Sequence, residues 1–139
     1  MKTAGYSGTP LIQKLGIRPA TRIYIQGEPK HYAQTLGPLP EAVTRLQRLG
    51  QELDFIHFFT KQRKQLEQRL PALKAALDYD GMLWISWPKK ASHVKTDVDE
   101  GVVRQMGLAI GLVDVKIAAI DETWSGLKFV YRVEDRSKR

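Results

Sequence analysis

Two polar clusters in this chain border apolar, strand-like runs. Trp87, Lys89, Lys90, Ser92 and His93 follow Met82-Leu83-Trp84-Ile85-Ser86, while Asp121, Glu122, Trp124 and Ser125 precede Leu127-Lys128-Phe129. Lysines beside hydroxyls and an indole suit a planar or anionic ligand, the ammonium groups supplying charge and the indole a stacking face. The carboxylates add an acid–base option: Asp121 or Glu122 as general base, His93 as acid or base, Lys89 or Lys90 against developing negative charge. The plainer reading is a clamp, with indoles stacked over the end of a sheet and lysines paired to Asp121 and Glu122. Such surface pairs contribute about 0 to 1 kcal/mol.

Several chemistries are excluded outright. Cysteine is absent, which removes disulfides and thiolate chemistry, and His31, His57 and His93 lack ligand spacing, so no metal site is expected. Neither a Gly-x-Ser-x-Gly elbow nor a phosphate-binding Gly-Lys-Ser or Gly-Lys-Thr loop occurs. The net charge of +7 is spread along the chain: residues 1 to 60 hold seven Lys or Arg against four acids, residues 61 to 139 fifteen against eleven. That distribution gives no basic block, and Lys61, Arg63, Lys64 and Arg69 read as the solvated side of a helix. No run approaches the ~18 to 20 apolar residues of a membrane span, and the first residues lack the apolar core of a signal peptide. A cytoplasmic protein without membrane contact is expected.

The elements that position the two clusters follow from periodicity. Gly5 to Gly8 reads as loop, Thr9-Pro10 as the start of a short helix ending near Leu15, and Thr21 to Gln26 as a strand. His31 to Leu36 makes a short helix, and Val43 to Leu49 a weak edge strand or a helix. Leu53 to Phe59 is almost continuously apolar, as in a central strand covered on both faces, with His57 packed inside it. Leu66, Leu70, Leu73 and Leu77 form one helical stripe that Pro71 should kink or split. Asp80-Gly81 turns the chain into a strand to Trp87, which Pro88 stops. Thr96 to Asp99 has capping-box spacing for a helix to about Gly111. Asp114 to Ile120 and Leu127 to Val133 alternate with period two around a six-residue loop, an antiparallel hairpin.

This order predicts one α/β domain over residues 1–139, with an N-terminal loop and short helix (1–20), a core (21–134) and a tail (135–139). The sheet should be mostly parallel and closed by the hairpin, in a three-layer Rossmann-like arrangement. The succession of Asp54, Gly81 and the Asp114 to Val133 hairpin resembles the second half of the class I methyltransferase fold. A resemblance over almost the whole chain rests on Gly5 to Leu11, Leu15 to Ile17, Gly37 to Pro40, Trp84 to Ser92, Gly111 to Lys116 and Asp121 to Phe129. These segments are similar to those of a bacterial domain-of-unknown-function family of short Rossmann-like proteins. Membership implies the fold and transfers no catalytic residue. Ala20 stands where that resemblance leads one to expect glycine.

Ligands of open parallel sheets bind beyond the carboxyl ends of the strands. Glu28, Lys30 and His31, then Thr60 and Lys61, should join the two Trp-bearing clusters there. S-adenosylmethionine is not expected to bind tightly, because Gly27-Glu28-Pro29-Lys30 has a single glycine and a proline, and Val43 to Leu49 brings no suitable acid. No cofactor is therefore expected. The sequence reads as a binding module for a small anionic ligand or an acidic partner, with a degenerate methyltransferase-like enzyme and sequence-independent nucleic-acid binding as alternatives. Lys89 or Lys90 should reach Asp121 or Glu122, with Trp87 and Trp124 flanking one concavity.

Overall fold

In the computed structural model, residues 9–136 are described. The expected opening loop at Gly5 to Gly8 and residues 137–139 of the tail lie outside that range. The order is α1 (Leu11–Leu15), β1 (Arg22–Gln26), α2 (Tyr32–Leu36), β2 (Thr44–Leu46), β3 (Leu53–Phe59), α3 (Arg63–Ala76), β4 (Leu77–Pro88), α4 (Glu100–Ala109), β5 (Leu112–Ala119) and β6 (Trp124–Tyr131). Single 3-10 turns cover Lys90–Ser92 and Val133–Asp135.

The strands form one sheet in the order β2-β1-β3-β4-β6-β5. β1, β2, β3 and β4 pair in parallel, and β6 joins β4 and β5 antiparallel, so the expected α/β architecture holds. Leu66, Leu70 and Leu73 of α3 and Val103 of α4 pack with Ile56, Phe58, Ile85 and Leu127 on one face. Leu11 and Leu15 of α1 and Tyr32 and Leu36 of α2 cover Ile23, Ile25, Phe55, Phe59 and Trp84 on the other. β3 is buried from both sides, which is why its sequence reads as an unbroken apolar run.

Several local expectations are corrected. Pro71 lies inside α3 without splitting it. Glu67, whose carbonyl loses its amide partner at Pro71, sits with it on the exposed side of the helix. Leu77 leaves the helix and opens β4, still packed in the same core. Asp80-Gly81 is no turn, since β4 runs through it with a shifted register against β3 between Leu53 and Phe55. The hairpin loop is shorter than six residues, because Trp124, Ser125 and Gly126 already belong to β6. The short α1 starts from Pro10, without a side-chain cap. Ala20 has φ of +62°, the left-handed region where glycine carries no Cβ penalty.

The capping box resolves differently from its spacing. α4 begins at Glu100, and Asp99 caps it by accepting the Val102 amide at 2.9 Å. Asp97 instead caps the neighbouring α3, accepting the Arg63 amide at 2.7 Å, while the Thr96 hydroxyl donates to the Lys61 carbonyl at 2.7 Å. Competition between two nearby helix ends decided the assignment. Replacing Asp97 with alanine should lower stability by about 1 kcal/mol, the usual worth of an N-cap, as read from the urea midpoint. An unchanged midpoint would mean that water replaces this cap at no cost.

Candidate functional site

The chain reverses direction across the sheet between β1 and β3: β1 leads outward to β2, and β3 leads the other way to β4. Such a switch point opens a crevice at the carboxyl ends of the strands. A cavity of about 530 Å³ lies there, lined by Gly27 to Lys30 after β1, Phe59 to Gln62 after β3, Gln65 of α3, Val94, Thr123 and Trp124. Its size suits a small molecule.

Its walls are built from groups that hold each other in place. The Thr60 hydroxyl donates to Gln65 Oε1 at 2.5 Å and accepts the Gln62 amide at 3.1 Å. Phe59 and Trp124 meet edge to face, ring centroids 5.3 Å apart, and form an aromatic side. Glu28, the single carboxylate among the described lining residues, is paired with Arg45 of β2. Lys30 and Lys61 bring two ammonium groups to the rim, both on exposed residues.

Behind the aromatic side lies a polar chain that the spacing of its residues does not reveal. Tyr32 Oη and His57 Nδ1 are 2.8 Å apart, and His57 Nε2 and Ser86 Oγ 2.7 Å, with all three residues buried. Burial drives the His57 pKa down to about 3, so the ring is neutral. A neutral imidazole has one donor and one acceptor nitrogen, which fits two hydroxyls. Burial also raises the Tyr32 phenol well above its ordinary range, with Glu28 adding to the effect. The chain ties α2 to β3 and β4, in keeping with the expectation of a packed His57.

The two Trp-bearing clusters touch, though not as expected. The Lys89 amide donates to the Thr123 carbonyl at 2.7 Å, and Lys89 Nζ donates to the Asp121 carbonyl at 2.8 Å. Among the described residues no ion pair joins Lys89 or Lys90 to Asp121 or Glu122. The Asp121 carboxylate instead accepts the amides of Thr123 and Trp124 at 2.8 and 2.7 Å, which fixes the hairpin turn.

Trp87 and Trp124 flank no shared concavity. Trp87 pairs with Ser125 and Pro88 with Trp124. Residues directly opposite share a face and successive residues alternate, so the two indoles lie on opposite faces of the sheet. Trp87 lines a second cavity, about 580 Å³, with Lys90, Asp97, Asp99 and Glu100. There Asp97 and Asp99 already cap helices and Glu100 pairs with Arg104 at 2.9 Å. Ser92 donates to the Lys89 carbonyl at 2.6 Å, and His93, with φ of +61°, closes the 3-10 turn on the exposed surface. His31 is exposed and bonded to Gln34. Thus Glu28, Lys30 and Trp124 meet in the first cavity, Trp87 and Lys90 in the second, and Ser92, Asp121 and Lys89 shape loops.

Among the described residues no cluster of three or more His, Cys, Asp or Glu could hold a metal, and no helix is long and apolar enough to cross a membrane. No family profile and no curated protein matches the chain. Solved structures do. A SAM-dependent methyltransferase from Aquifex aeolicus aligns over 86% of both chains with TM-score 0.59 and 11% identity. Magnesium protoporphyrin IX methyltransferase from Synechocystis PCC 6803, with bound SAM, gives 0.58 and 12% over 88% of this chain and 74% of that one. Aeropyrum pernix fibrillarin, with natively bound S-adenosyl-L-methionine, gives 0.56 and 13% over 91% and 70%. These likenesses establish a methyltransferase-like Rossmann fold.

The residues at the switch point do not fit that nucleoside cofactor. Gly27, at φ of +77°, turns its bare side to β3, where a Cβ would stand 2.5 Å from the Phe59 carbonyl oxygen. The glycine therefore serves the packing of two strands and leaves no extra room for a ligand. Pro29 has no amide to donate, and Glu28 is already paired. Beyond β2, Gln47-Arg48-Leu49 carries no carboxylate for ribose hydroxyls.

Proposed function

We propose that this chain is a binding module on a methyltransferase-like fold, holding a small anionic ligand or the acidic group of a partner in the cavity between β1 and β3. The observation that carries this reading is the charge of the lining: Lys30 and Lys61 face a space whose one carboxylate, Glu28, is neutralised by Arg45. Glutamine and threonine side chains add neutral hydrogen-bonding groups, and the Phe59–Trp124 side accommodates an apolar or planar body. Membership of the short Rossmann-like bacterial family and a cytoplasmic location belong to the same proposal. Methyl transfer is the second reading, favoured by the fold of the solved relatives.

Calorimetry with inorganic phosphate, pyrophosphate and S-adenosylmethionine separates the two. The anions should bind, and the Lys30→Ala, Lys61→Ala double variant should weaken them at least about tenfold, close to 1.4 kcal/mol. The melting temperature should hardly move, because both lysines are exposed. Micromolar affinity for S-adenosylmethionine, about −8 kcal/mol, would favour methyl transfer. Anion binding indifferent to both lysines would dismiss the cavity as the site.

A further inference from the structure

Away from the cavity, five cations gather on the α1 side of the terminal hairpin. Lys116 of β5 stands directly opposite Lys128 of β6, and the pairing of Lys128 with Trp84 puts both on the face that α1 covers. Lys14 of α1 joins them, because Lys116 Nζ donates to the Lys14 carbonyl at 3.0 Å and Lys14 Nζ donates to the Ala119 carbonyl at 3.1 Å. Lys89 lies near enough to Lys14, and Arg18 near enough to Lys128, for their charges to be felt.

Like charges directly across two strands destabilise a sheet. Among the described residues no ion pair involves Lys89, Lys116 or Lys128. Backbone carbonyls accept from Lys89 and Lys116, which satisfies N–H groups and fixes the ammonium positions but leaves the charge in place. The nearby Asp121 carboxylate accepts two amides of its own turn and keeps its negative charge, which offsets part of the positive charge at Lys89 but forms no ion pair with Lys116 or Lys128. Burial first, then the neighbouring cations, holds Lys14 and Lys128 below the usual lysine range. The Lys116–Lys128 juxtaposition thus carries repulsion that a polyanion would relieve.

We propose that this face binds the sugar-phosphate backbone of nucleic acid without reading sequence. The cations come from α1 and its exit, the β4 exit and the hairpin, so they form a spread surface suited to successive phosphates. A bilayer is the less suitable partner. Of the exposed large apolar residues only Val115 adjoins the patch in the chain; Leu39 and Leu108 lie in the α2–β2 connection and on α4, Val133 follows β6, and Ile117, opposite Leu127, is on the other face of the sheet, so the described residues form no apolar cluster to anchor in one.

The test is fluorescence anisotropy of the full chain with a labelled ~20-base-pair duplex of mixed sequence between ~50 and ~200 mM salt. Binding should fall steeply with salt and be indifferent to sequence. The Lys116→Gln, Lys128→Gln double variant should weaken it at least about tenfold and reduce the log–log salt slope by about 2, one per lost phosphate contact. Its melting temperature should be equal to or above that of the parent. Arg63→Gln with Lys64→Gln, on the solvated side of α3, should change little. Absence of binding at ~50 mM salt, or equal weakening by the α3 pair, overturns the proposal. Binding of phosphatidylserine vesicles through the same lysines without duplex binding overturns it in favour of a membrane.

Discussion

Below about pH 6.5 the folded state is expected to lose stability through one residue, His57. Its folded pKa is about 3, against an ordinary value of 6.5. Between those values the unfolded chain binds a proton that the folded chain refuses, so stability rises with pH across the window. The contribution is complete above 6.5 and is lost as pH falls toward 3. At about 1.4 kcal/mol per pH unit, the loss between neutral pH and pH 4.5 should be about 2 to 3 kcal/mol. Urea midpoints measured across that range read it directly.

A His57→Gln variant should start lower at neutral pH, because the buried hydroxyls of Tyr32 and Ser86 lose their shared partner, each at about 1 to 3 kcal/mol. Its stability should then be nearly flat from neutral pH to pH 4.5. If the variant retains the parent's slope, the acid sensitivity belongs to carboxylates and His57 is solvated when charged.

The second large effect concerns Gly27. Replacement by alanine should cost about 2 to 4 kcal/mol, since a left-handed φ and a Cβ at 2.5 Å from a strand carbonyl act together. Gly16 separates the two contributions. It has φ of +88°, but a Cβ there would meet only the flexible end of Met82 at 3.3 Å, so Gly16→Ala should cost about 1 to 2 kcal/mol. Equal losses at the two positions would show that β1 and β3 can spread apart at the cavity. That outcome would also remove the objection to close approach of a nucleoside at this turn.

Much of this fold was legible because burial leaves a local signature. The apolar run Leu53 to Phe59, the leucine stripe of α3 and the alternation of β6 each record how many faces are covered, whereas β5, at the sheet edge with a register shift between Asp114 and Lys116, does not bury alternate residues as its sequence led one to expect. Capping was less legible. Thr96 to Asp99 offered several acceptors, and only the arrival of α3 beside that loop assigned Asp97 to it. The candidate site divided in the same way. Its place at the carboxyl ends of the strands followed from topology, and Glu28, Lys30 and Trp124 were found there, joined by Gln62, Gln65 and Val94, which carry no distinguishing sequence pattern.

The sequence by itself determined most element types, though not that of Val43 to Leu49, together with the α/β class and the absence of cysteine chemistry, because helical and strand periods and residue types are properties of neighbouring residues. Only the tertiary structure decided the rest. Register sent Trp87 and Trp124 to opposite faces, as one residue of offset in a pleated strand reverses a side chain. It also placed Lys116 across from Lys128, residues twelve apart in a chain without a basic block. Packing brought Tyr32, His57 and Ser86 into one buried chain across 25 and 29 residues. Such contacts depend on which strands become neighbours and in what register, and that choice is made by burial of the whole sheet, beyond the reach of local spacing.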